Sequence, residues 1–251
     1  MTQARFDEKE REFVLKLSEI IRQDPFRMRC LRALRALNVP QGYIGAGFVR
    51  NAIWDVLHNK ATPTPLNDID VIYFSSDELG QSKNVVKTHT ASSFHQSPSQ
   101  AVEQSVLLSA TKAHELVLEG ELSRLVADAN WQVKNQARMH LAHDHAPYKN
   151  CHEAISYWIE QETCVAVRLT ESGDIDVLAP FGLSANFAGT LSINPKHPRP
   201  DVFKQRVHAK NWLTQWPSLK VVDYPAKQLA LQIASTKKMH STFVWRSSLQ
   251  C

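Results

Sequence analysis

The chain has 251 residues, 43% hydrophobic and 22% charged, with a formal net charge of +4. That suits one compact domain with additions, or two small ones, and the mild basicity excludes a dedicated nucleic-acid coat. No apolar run approaches a membrane span and the charged N-terminus lacks the apolar core of a signal peptide, so a cytoplasmic protein is expected.

Residues 7–22 have the spacing of an amphipathic helix, with Phe13, Leu17, Ile20 and Ile21 on one face. Asp24-Pro25 is a helix start, with Asp as N-cap and Pro in the first turn. The second helix runs to about Leu37. Its polar side carries Arg27, Arg29, Arg32 and Arg35, most simply a solvated face. After a loop at 38–42, Tyr43-Ile44 is a short strand entering a glycine turn. Helical spacing then returns over 48–58.

Ala61-Thr-Pro-Thr-Pro65 breaks the chain before a strand at 68–74. Residues 75–105 are polar and read as an exposed insertion. A helix follows at about 106–127 and a strand at Trp131-Gln-Val-Lys-Asn135. Residues 163–169 and 175–179 form a hairpin around Glu171-Ser-Gly-Asp174. Residues 203–213 are helical and the tail from about 222 is polar. The expected organisation is N-terminal helices at 1–40, a main domain at 41–220 and a tail at 221–251. Cys30, Cys151, Cys164 and Cys251 form no CxxC pair and read as free thiols.

Two segments carry chemistry. In Ile44-Gly-Ala-Gly-Phe-Val-Arg-Asn51 the glycines let the backbone approach a ligand, and the following helix points free N–H groups at it. Arg50 adds a charge-assisted bond to a phosphate. Taken alone, such a turn is more often structural. Asp68 and Asp70 are two apart on a strand and share a face. They repel unless a cation sits between them, and Mg²⁺ or Mn²⁺ suits two hard carboxylates. The competing reading is a strand edge with both acids solvated. The turn and the pair lie about twenty residues apart with a helix between, as nucleotidyl transfer requires.

The pattern Gly45-Ala-Gly-Phe-Val-Arg50 followed by Asp68-Ile-Asp70 resembles the GG-x-VRD…DxD motif of tRNA CCA-adding enzymes, in the DNA polymerase β-like nucleotidyltransferase superfamily. Ala46 stands for a glycine there and Asn51 for an aspartate. The chain is more closely similar to a bacterial family of that superfamily formerly called DUF925. The similarity runs through Asn67-Asp-Ile-Asp-Val-Ile-Tyr-Phe74, Trp131-Gln-Val-Lys-Asn-Gln-Ala-Arg138, Ala179-Pro-Phe-Gly-Leu183 and Phe203-Lys-Gln-Arg206 with Lys210, Trp212 and Trp216.

The resemblance implies an α/β fold: a small mixed sheet with helices packed on one side. It implies a metal-dependent enzyme moving a nucleoside monophosphate from an NTP to an acceptor, with release of pyrophosphate. The acceptor, whether RNA, protein or small molecule, stays open. Asp68, Asp70 and Asp176 would bind the metal. Asp176 is preferred to Asn135 as third ligand, and Asp174 is assigned to the turn. Gly45, Gly47, Arg50, Lys134 and Arg138 would hold the nucleotide, and Arg206 and Lys210 are further cations inside the motifs. Trp131, Trp212 and Trp216 stack on a base or, more simply, pack in the core. The run His140-Leu-Ala-His143-Asp-His145 near Cys151-His152 fits no standard zinc spacing. The alternative function is a non-catalytic nucleotide- or RNA-binding protein on the same fold.

Overall fold

A computed structural model describes residues 8–76, 100–143 and 145–222 of the protein. Helix α1 spans Glu8–Gln23 and buries Leu17 and Ile21 from its apolar stripe. Helix α2 spans Pro25–Leu37. The Asp24 carboxylate accepts from the Arg27 amide at 2.9 Å, satisfying one free N–H of the first turn. Strand β1 (Tyr43–Gly45) leads into α3 (Gly47–Leu57). Then come β2 (Ile69–Tyr73), α4 (Gln100–Leu125) and β3 (Trp131–Asn135). Short helices α5 (Gln136–Met139) and α6 (Cys151–Ile155) precede the hairpin of β4 (Ala166–Leu169) and β5 (Ile175–Leu178). The chain continues through α7 (Ser184–Phe187), β6 (Thr190–Ser192), α8 (Pro200–Ala209), α9 (Trp212–Gln215) and β7 (Lys220–Val222).

The main sheet has five strands in the order β3-β2-β1-β4-β5. Among the described residues of this sheet, β2 and β3 alone run parallel; β1 is antiparallel to both neighbours, and β4 to β5. A parallel pair needs a long crossover, and the segment containing α4 supplies it. Strand alternation divides the sheet into two faces. Ile44, Val71, Val133 and Val167 sit in register on one face and join Leu17, Leu31, Val49 and Leu122 in the main core. The N-terminal helices therefore share one core with the sheet. The other face carries Tyr43, Ile72 and Ala166 against Cys151 and Ile155 of α6, and it also carries the polar residues Asp70, Lys134 and Asp176.

Helix α4 begins at Gln100, earlier than the polar composition of 75–105 implies. The rest of that insertion, 77–99, and the tail from 223 lie outside the described residues. Among the described residues, no helix is long and apolar enough to cross a membrane.

Trp54, Trp131, Trp212 and Trp216 are packing residues. Trp131 is buried and its indole donates to the Val126 carbonyl at 3.2 Å. Trp54, Trp212 and Trp216 form an edge-to-face group in a second core, with centroids 6.0 and 5.2 Å from Trp54. Trp216 donates to Asp55 at 2.8 Å, the polar anchor a buried indole needs.

Candidate active site

The turn after β1 is tight for a steric reason. A Cβ on Gly45 would lie 3.1 Å from the Val165 carbonyl oxygen and 3.2 Å from the Ala166 Cβ, so β4 can approach only a bare backbone. Gly47 opens α3, and a Cβ there would meet nothing nearer than Arg50 at 3.6 Å. Between them Ala46 has φ 53° and ψ −121°. An L side chain is strained in that conformation and glycine is not. Ala46→Gly is therefore expected to raise stability by about 1 kcal/mol, read as a shift in the denaturation midpoint. An unchanged or lower midpoint would mean that the turn carries no strain.

Asp70 lies one step along the register that pairs Tyr43 with Ile72 and Ile44 with Val71, so it sits beside Gly45. It faces a cavity of about 260 Å³ lined also by Ala46, Lys134, Trp158, Arg199 and Arg206. Asp68 precedes the strand on the same face and is half-buried. Burial, and then the Asp68 charge, push the Asp70 carboxyl up to about 6; Arg50, Lys210 and Arg206 pull the other way. The glycine turn, both aspartates and these cations thus converge, as the spacing predicts.

Arg50 is buried, and burial draws it down to about 10. Its Nη1 donates to Thr163 Oγ1 at 2.6 Å and its Nη2 to Asn51 Oδ1 at 3.1 Å. Nε has no partner, and the buried Nε of Arg199 at the cavity wall has none either. Arg199 and Arg206 line the cavity, and the unpaired Arg199 N–H offers a donor to an anion there. Arg206 is held by Glu160, with Nε to Oε1 at 2.6 Å and Nη2 to Oε2 at 3.2 Å.

Other residues named by the motif have different partners. Lys134 lines the cavity, but its ammonium bonds the Val133 carbonyl at 3.0 Å and lies 3.7 Å from Glu119. Arg138 is committed to the buried Glu115, with Nε and Nη2 at 2.9 and 2.6 Å from Oε1. Asn135 closes the far end of β3, accepting from the Ser75 and Ala137 amides at 3.2 and 3.0 Å. Asp176 is not brought to the pair. It shares the sheet face with Asp70 but lies three strands away, about 14 Å at the usual strand spacing. Its Oδ2 accepts from Arg168 Nε at 2.7 Å and from the Tyr43 hydroxyl at 2.9 Å.

The histidine run forms an aromatic cluster. His145 bonds the Tyr148 hydroxyl at 2.6 Å, and its Nε2 lies 3.4 Å from that of His197. Among the described residues, no three His, Cys, Asp or Glu side chains are grouped to hold a metal. Asp68 and Asp70 are a pair of hard donors, which suits an ion that keeps waters and phosphate oxygens in its remaining positions.

Sequence reasoning passed over Glu160, Thr163 and Arg199. Their signal was weak: Glu160-Gln-Glu-Thr163 is a short polar segment before a strand, and only the fold turns it toward the cavity.

A solved structure described as revealing "a CCA-adding enzyme head domain" superposes with a TM-score of 0.62 and 26% identity, covering 84% of this chain and 96% of that one. No curated protein matches. A family profile described as nucleotidyltransferase matches residues 32–108 and 107–221, which span both aspartates, the glycine turn and α8. With the paired carboxylates and the cationic cavity set side by side on that fold, the chain belongs to this nucleotidyltransferase family.

Proposed function

We propose that the protein transfers a nucleoside monophosphate from an NTP to an acceptor and releases pyrophosphate, using a divalent cation held by Asp68 and Asp70. The observation that carries this reading is Asp70, a half-buried acid beside Asp68 that opens on a cavity walled by guanidinium groups. Burial and the neighbouring Asp68 charge both disfavour the ionised Asp70, and a cation between the two relieves both. The donor set therefore fits Mg²⁺ or Mn²⁺. When bound, such an ion supplies charge to activate the attacking oxygen and stabilise the leaving pyrophosphate. Gly45 keeps the turn open. The first amides of α3, at Gly47 and Phe48, have no acceptor within the helix, as at any helix start. Arg50, Arg199, Arg206 and Lys134 balance the polyphosphate charge. Cys30, Cys151 and Cys164 are buried thiols, which suits a cytoplasmic enzyme.

Asp176 stands outside this assignment, because Arg168 and Tyr43 already hold its carboxylate. Asp176→Asn is expected to leave Mg²⁺-dependent NTP affinity within about twofold of wild type, since the exposed ion pair it loses is worth little. A loss of about tenfold or more would return Asp176 to the metal site.

The decisive experiment incubates the protein with Mg²⁺, cell lysate and each NTP in turn, labelled at the α- or the γ-phosphorus. Label should reach an acceptor from the α-position alone. Transfer from the γ-position would overturn the reading. NTP binding indifferent to both Mg²⁺ and the aspartates would favour a non-catalytic binder.

A further inference from the structure

We propose that Glu160 is a positioning residue that sets the Arg206 guanidinium as a clamp on the polyphosphate. Glu160 is wholly buried. Its carboxylate accepts from Arg206 through two nitrogens, at 2.6 and 3.2 Å, and from the Thr163 hydroxyl at 2.8 Å. The same hydroxyl oxygen accepts from Arg50 at 2.6 Å. One carboxylate thus fixes one guanidinium directly and the other through a single hydroxyl.

A buried carboxylate is costly, and an apolar side chain of similar size would serve stability as well. What Glu160 adds is the ability to hold two like charges side by side. Arg206 works against the Arg50 charge and Glu160 works for it. Trp212 completes the mount, its ring 4.5 Å from the Arg50 guanidinium carbon and 5.8 Å from that of Arg206. Arg206 keeps a donor in reserve at the cavity, whereas the unpaired Arg50 nitrogen is buried. The bidentate pair uses Nε and Nη2 of Arg206 and leaves Nη1. Arg206 lines the cavity that Asp70 faces, a third of its side chain exposed. Lysine would not serve here, because only the planar fork bonds Glu160 side-on while presenting further N–H groups.

This inference rests on the polyphosphate reading of the cavity. Its test uses inorganic tripolyphosphate with Mg²⁺, a probe without a base, titrated into the full chain by calorimetry. Wild type, Glu160→Gln, Arg206→Gln and the double variant are compared, with thermal melting followed separately. Each single variant is expected to weaken tripolyphosphate binding about tenfold, the worth of a charge-assisted bond. The double variant should be no weaker than Arg206→Gln alone, because Glu160 acts through the arginine. A Glu160→Gln protein that melts lower yet binds like wild type would make Glu160 a strut and overturn the proposal. Losses that multiply in the double variant would overturn it too. If wild type itself binds neither tripolyphosphate nor NTP, the function proposed above fails first. Should Glu160→Gln not fold, Arg206→Lys reads the same contact from its exposed side: about a tenfold loss supports the clamp, and unchanged affinity refutes it.

Discussion

Asp70→Asn is expected to make the protein more stable and nearly inactive. Burial, and then the Asp68 charge, push the Asp70 carboxyl up to about 6, above the ordinary aspartate value, so the fold disfavours its ionised form. The sign follows from proton counting. Between about pH 4 and 6 the folded chain holds a proton that the unfolded chain has released, so stability falls as pH rises through that window. Below it both states are protonated and Asp70 costs nothing. Above it the full cost persists. Two pH units correspond to about 3 kcal/mol, and partial exposure trims this to about 1–2 kcal/mol. Asparagine carries no charge and escapes the cost. At pH 7.5 its melting point should therefore rise by about 2–6 °C, and at pH 4 the difference should vanish. Nucleotidyl transfer should fall on the order of 10³-fold, because the charge held at the reacting phosphorus is lost. Added Mg²⁺ should raise the wild-type melting point at pH 7.5, less so below pH 6, and leave the variant unmoved. A variant that melts lower at pH 7.5, or keeps activity within about tenfold, would remove Asp70 from the metal site.

Arg138→Ala should give the largest stability loss. Glu115 is almost completely buried, and its Oε1 accepts from Arg138 twice and from the Asn135 amide at 2.7 Å. Without the guanidinium, the buried carboxylate is left with Lys134, 4.0 Å from its Oε2, as its nearest cation. Such a break costs about 3–5 kcal/mol, roughly 10 °C in a domain of this size. Replacing both partners, Glu115→Gln with Arg138→Met, keeps an acceptor for the Asn135 amide and strands no charge. That double variant should recover most of the loss. Chemical denaturation of the three variants reads this directly. NTP affinity of the folded Arg138→Ala protein should match wild type. A protein of unchanged stability with weakened NTP binding would restore the nucleotide-binding role that the family pattern implies for Arg138.

The distance between those two residues' fates measures what a sequence holds. Asp70 was legible because its chemistry is local. Two acids two apart on an apolar strand share a face wherever that strand lies. The Asp24 cap, the stripe of α1, the glycine turn and the β4–β5 hairpin were legible for the same reason: each is decided by neighbours within a few positions. The sequence by itself thus determined most of the longer elements, the placing of the two aspartates on one face and the superfamily pattern.

What only the tertiary structure decided is which elements lie side by side. Alternation assigns Asp176 to a face but not to a strand order, and the order β3-β2-β1-β4-β5 puts β1 and β4 between it and Asp70. Arg138 and Arg206 look alike along the chain. One meets Glu115 of α4 and the other Glu160 beside the cavity, contacts spanning 23 and 46 residues. Buried charges are paired by whichever distant group the fold delivers, because the cost of leaving one unpaired is paid only once the core has closed. The aspartate pair and the candidate cations therefore came from the sequence, and which of those cations lie beside the pair came from the fold.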